Sequence, residues 1–150
     1  MRQSEFDALM ADESKRIEND ITWTEDEDHS PAVEFRAEVR ADTAYPLFVR
    51  GSYNPEARAL TFALIHRAVG RIYALDLGKE HHNPSCEYVG ETHKHAWDET
   101  ARDKHAYVPP DITETLPNVV AIWRQFCNEA KIAHRGRMHP PPARQQELFP

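Results

Sequence analysis

The run "AVEFRAEVRAD", residues 32–42, alternates apolar and charged side chains. Val33, Phe35, Ala37 and Val39 fall on one side; Glu34, Arg36, Glu38 and Arg40 fall on the other. A period of two belongs to a β-strand with one face on a core and the other in water. Three further runs read as strands: "YPLFVRG" (45–51), "ALTFALIHRA" (59–68) and "GRIYALDLG" (70–78). "SYNPEA" and "RAVG" are short, turn-forming connections between them. Links this short join antiparallel neighbours, because a parallel crossover needs a dozen residues or more. "GETHKHAW" (90–97) is expected to be the fifth main strand.

Helical spacing brackets the strands. Phe6, Leu9, Met10 and Ile17 predict an amphipathic helix over Ser4–Glu18, with Ser4 as its cap. Val119, Ile122, Trp123, Phe126, Cys127 and Ala130 predict a second over about 116–133, with Thr115 as cap and Gly136 beyond its basic end. The expected fold class is α+β: an antiparallel sheet of about five strands flanked by an N-terminal and a C-terminal helix. Residues 1–135 are expected to form one domain, and the proline-rich 136–150 a C-terminal tail.

Composition narrows the function classes. The 150 residues hold only five glycines, which argues against a glycine-rich phosphate cradle. Net charge is −7, and residues 1–50 alone account for it, with six basic and thirteen acidic side chains. Such an N-terminal region is ill suited to broad electrostatic binding of nucleic acid, but suits docking to a basic partner. Cys86 and Cys127 have no paired spacing, and no segment is long and apolar enough for a membrane span. A reduced, cytoplasmic setting is expected.

Chemistry concentrates in "GKEHHNPSCEYVGETHKHAW", residues 78–97, with four of the nine histidines. On a strand, Glu91, His93 and His95 share one face. They are candidate metal ligands, with His82 or His81 from the preceding loop, and Asp76 at the end of the strand before it. Imidazole and carboxylate donors suit zinc or manganese. The same face pattern also describes a solvated strand, and metal-free acid–base chemistry is a third reading. Lys94 between the histidines favours an edge or cleft wall over a covered strand. The next run, "WDETARDKHAY", supplies Arg102, Lys104, His105 and Tyr107, a set that could bind phosphate and move protons in RNA cleavage, or simply be a solvated loop. With His93 and His95, these four are the candidate catalytic residues.

"LDLGKEHHNPSCEYVGETHKHAW" followed by "RDKHAYVP" resembles a family of small proteins found in prophages and bacterial genomes. Its pattern is a strand and glycine, an H-x-N-P turn, a G-x-H-x-H strand and an aromatic, D-K-x-A-Y end. Gly78, His81 or His82, Asn83, Pro84, Gly90, His93, His95, Asp103, Lys104, Ala106 and Tyr107 carry the likeness. Glu91 and Thr92 depart from it, where the pattern has a proline near the first histidine. The resemblance implies a helix, sheet, helix order and a mobile-element setting, such as a toxin, and supplies no mechanism. Two functions stay open. One is a small phosphodiesterase or endoribonuclease acting on RNA through a histidine-rich site. The other is a non-enzymatic protein that docks a basic host partner, or a cognate antitoxin, through its acidic N-terminal half.

Overall fold

A computed structural model describes residues 1–79, 83–84 and 90–142. The alternating runs form the expected α+β architecture. Strands β2 (Thr24–Glu25), β3 (Val33–Val39), β4 (Leu47–Asn54), β5 (Ala59–His66), β6 (Gly70–Leu77), β7 (His93–Ala96) and β8 (Ala106–Tyr107) pair in chain order, each antiparallel to its neighbour. The main sheet thus has seven strands, not about five. The two extra ones, β2 and β8, are two-residue edges, too short for alternation to reveal.

A second, two-stranded sheet pairs β1 (Arg16–Ile17) in parallel with β9 (Ala133–His134). Beyond it, Ile21 bridges to Met138, which is buried.

Helix α1 spans Gln3–Ala11, shorter than the apolar spacing suggests, because Ile17 belongs to β1 and not to the helix. Its N-cap is Arg2, without a side-chain cap, so Ser4 lies inside the helix. Lys15 closes the other end. Its ammonium donates to the carbonyls of Leu9, Met10 and Asp12 at 2.7, 3.1 and 2.5 Å, at the helix end, where Leu9 O also accepts from the Asp12 N–H.

Helix α2, Val119–Ala130, starts later than expected, at Asn118 rather than Thr115. Every one of its six predicted apolar residues is buried. It lies on the sheet face made by Phe35, Phe62 and Tyr73. The Trp123 ring meets Phe62 at 5.1 Å and Phe35 at 5.7 Å, and Phe126 stacks on Tyr73 at 5.2 Å. Gly51 makes room for this cluster, since a Cβ there would lie 2.0 Å from the Phe35 ring. Truncating Trp123 to alanine would cost about 3–5 kcal/mol by the usual scale for core aromatics.

The opposite face carries Glu34, Arg36 and Glu38 on β3 and Arg50 on β4, as the alternation requires. Here the acidic residues are matched by arginines: Glu38 binds Arg67 at 2.6 Å, and Glu34 lies 3.9 Å from Arg50. Arg67, from beyond residues 1–50, thus offsets one unit of their negative charge on this face. Towards β6 and β7 the same face closes over, and the candidate site lies there.

Candidate metal centre

Register places the ligand set. Asp76 pairs with Thr61 on one side and with His93 on the other. His95 pairs with Ala74, whose methyl lets the imidazole lean diagonally along the strand towards Asp76. Both rings then converge on one atom: His93 Nε2 is 3.2 Å and His95 Nε2 3.3 Å from Asp76 Oδ2. All three residues are buried, at 1%, 3% and 5% exposure for His93, His95 and Asp76. Their ligand atoms lie within 4.8 Å of one another.

Backbone carbonyls orient the rings. His93 Nδ1 donates to Gly90 O at 3.0 Å, and His95 Nδ1 donates to Asp103 O at 2.8 Å. A carbonyl only accepts, so each Nδ1 carries the hydrogen. In the neutral ring, each Nε2 lone pair therefore faces a carboxylate oxygen. Two lone pairs against one carboxylate repel unless a cation stands between them, either a proton on each ring or one shared metal ion. Metal-ligating histidines characteristically donate their other nitrogen to a carbonyl or carboxylate in this manner. The spacing also fits. Bonds of about 2.0–2.1 Å in a tetrahedral shell put neighbouring ligand atoms about 3.3 Å apart.

Asp76 is held as an anion. Burial by itself would raise its carboxyl pKa. With a proton on each Nε2, the bonds from His93 and His95, with that from Thr61 and the charge of Lys79, outweigh that and hold it far below the usual carboxylate range. Thr61 Oγ1 donates to Asp76 Oδ1 at 2.5 Å and accepts from Lys79 Nζ at 2.7 Å. The half-exposed Lys79 ammonium is 4.0 Å from the same carboxylate oxygen.

A family model described as "Family of unknown function (DUF6978)" matches residues 1–132, which include both helices, the seven-stranded sheet and the His–His–Asp cluster. The chain belongs to the DUF6978 family. No curated protein and no solved structure matches it.

The other sequence candidates fall in different places. Glu91 precedes β7, is exposed, and lines a cleft of about 570 Å³ with Arg58, Gly78 and Thr92. It shares no face with the histidines, because the strand begins at His93, after Gly90 has turned the chain at φ +100°. Among the described residues, the carboxylate of the cluster is Asp76. His81, His82 and Cys86 lie outside the described residues. Arg102, Lys104 and His105 are exposed on the loop 98–105, the loop whose Asp103 carbonyl orients His95. An Asp103–Arg71 ion pair at 2.8 Å ties that loop back to β6.

Tyr107 belongs to the helix-side face, where its hydroxyl donates to Glu129 Oε1 at 2.8 Å. Lys94 reaches the same carboxylate. The strand is not an edge or cleft wall but a covered one, flanked by β6 and β8, and Lys94 is completely buried in it. Its ammonium lies 2.5 Å from Asp111 Oδ2 and 3.1 Å from Glu129 Oε1. Sequence reading missed this cluster, because Glu129 and Asp111 are distant in the chain and neither stands in a recognisable pattern.

Cys127 is a core residue, its thiol pushed well up by burial. His134 is structural: Trp123 Nε1 donates to its Nδ1 at 3.0 Å, and its Nε2 donates to Asn19 O at 2.9 Å.

Proposed function

We propose that this protein is a divalent-metal hydrolase of phosphodiesters, with Asp76, His93 and His95 holding the ion and RNA as the substrate class. One observation carries the reading: both Nδ1 atoms are committed to carbonyls, while both Nε2 atoms converge on Asp76 Oδ2. Imidazole and carboxylate donors at this spacing suit zinc, with manganese as the alternative. Three protein ligands are the usual complement of a catalytic zinc site, which keeps a position open and supplies Lewis acidity there.

The surroundings support an anionic substrate. Lys79 stands half-exposed beside Asp76. Arg102, Lys104 and His105 are exposed on the loop that orients His95. Arginine and lysine there would bind phosphate oxygens, and the exposed His105 stands on the same loop. The likeness to prophage proteins favours a toxin that an antitoxin restrains. In that role, expression in a bacterium should arrest growth, and His93→Ala should relieve the arrest.

Burial of the ligands favours a second reading, in which the ion ties β7 to β6 without reacting. Both readings predict one equivalent of zinc or manganese after metal loading and dialysis, measured by elemental analysis. Only the first predicts that the loaded protein cleaves an RNA pool, and that a chelator or His95→Ala stops it. Metal binding without cleavage of RNA or DNA would leave the pin. Absence of stoichiometric metal would remove both.

A further inference from the structure

We infer that Lys94 is a positioning residue for the metal centre: the contacts of its buried ammonium to Glu129 and Asp111 hold β7 in the register that turns His93 and His95 towards Asp76. The inference rests on the metal reading above. It makes helix α2 part of the site's support, although no residue of α2 belongs to the ligand set.

The geometry starts from the brevity of β7. Four residues alternate His, Lys, His, Ala, so the strand has no apolar pattern of its own to choose a face. A slip of one residue would carry both imidazoles to the helix side and Lys94 into the ligand set. An apolar residue at position 94 would fill the helix side at lower desolvation cost than a buried ammonium. The lysine instead meets groups fixed on separate elements. Glu129 comes from α2, and Asp111 follows Pro109–Pro110. Glu129 Oε1 is itself held by two hydroxyls, Tyr73 on β6 at 2.6 Å and Tyr107 on β8 at 2.8 Å. The strands on both sides of β7 therefore fix the acceptor that fixes Lys94. A slipped strand would leave that carboxylate opposite an imidazole or an alanine. Such polar contacts are best attested where they set register.

Zinc titration of the purified protein against a chromophoric competitor tests the inference. Lys94→Met keeps length and volume but removes the charge, and Glu129→Gln changes the partner from the helix side. Each should weaken zinc binding about 10- to 100-fold, the range for loss of a group that orients a ligand. The visible spectrum of the cobalt-saturated protein should also change in band position or intensity, because the ligand geometry changes and not only the fraction bound. Ile122→Val mildly destabilises α2 away from the network. It should leave both the zinc affinity and the cobalt spectrum as they are in the unaltered protein.

If Lys94→Met does not fold, Glu129→Gln carries the test. Variants with unaltered zinc affinity and cobalt spectrum would overturn the positioning role and leave the metal reading standing. An equal loss of affinity in Ile122→Val would also overturn it, since general destabilisation would then explain the effect. Failure of the unaltered protein to bind zinc or cobalt would overturn both.

Discussion

The two faces of β7 gather the same kinds of group and treat them in opposite ways. On the helix side, one ammonium meets two carboxylates, and two tyrosine hydroxyls complete the Glu129 oxygen. Donors face acceptors throughout. On the other side, two imidazoles already committed through Nδ1 turn their remaining nitrogens towards one carboxylate oxygen. Acceptors face an acceptor unless a cation intervenes. On the helix side each named donor meets an acceptor, although Asp111 Oδ1 has no hydrogen-bond partner among the described residues. A metal ion would join the second side through three protein ligands, so the two faces of β7 should respond differently to zinc.

The largest expected effect tests that asymmetry directly. Zinc at a thousandfold excess over its dissociation constant should stabilise the folded protein by about 4 kcal/mol. Thermal unfolding with zinc and with chelator measures the gain, and His93→Ala or His95→Ala should abolish it. A protein equally stable in both conditions would place the two faces in the same class.

The next effect compares the carboxylates in chelator at pH 8. Glu129→Ala strands a wholly buried ammonium with only Asp111 for a charge partner and leaves two hydroxyls without their acceptor. The loss should be about 3 kcal/mol, at the low end for a broken buried pair because Glu129 is partly exposed. If no proton sits on either Nε2, Asp76→Ala should cost far less, since it then removes an oxygen that faces two lone pairs, although Thr61 loses its acceptor. Denaturant unfolding of both variants decides this. Equal losses would mean that protons, not a metal, join the imidazoles to Asp76.

Much of the fold was legible because it rests on local repetition. Residues 32–42 alternate cleanly, and the strands from 45 to 78 are joined by short turns. The six apolar positions of α2 all proved buried. The edges β2 and β8 were not legible, since two residues have no period. The His93–His95 pair was readable from spacing alone, and Asp76 from its place at the end of a strand. Glu91 was misplaced because the strand was started too early, before the turn at Gly90. Lys94 was misjudged for a different reason. Whether a lysine can be buried depends on its partners, and Asp111 and Glu129 come from 17 and 35 residues further along the chain. The carbonyls of Gly90 and Asp103 leave no trace in residue type at all. What orients the ligands is thus the least readable part of the site.

The smallest expected effect is a pH dependence confined to the helix face. Burial tends to raise the Glu129 carboxyl pKa, but hydrogen bonds from Tyr73 and Tyr107, and the charge and hydrogen bond of Lys94, outweigh it and hold the pKa below its ordinary value. The unfolded chain therefore takes up the proton first as pH falls. The stabilisation is fully present above the unfolded pKa of about 4.3 and is lost as pH drops through the lower folded value. Solvent reaches part of the side chain, so the effect should be under about 1 kcal/mol. Comparing urea unfolding of the parent and Glu129→Gln between pH 6 and pH 3, both in chelator, isolates it. The parent should lose more stability over that range, because glutamine has no proton to gain. Parallel curves would show that the Lys94 network owes its strength to shape and hydrogen bonds rather than to charge. The contrast between the two faces of β7 would then rest on the metal side alone.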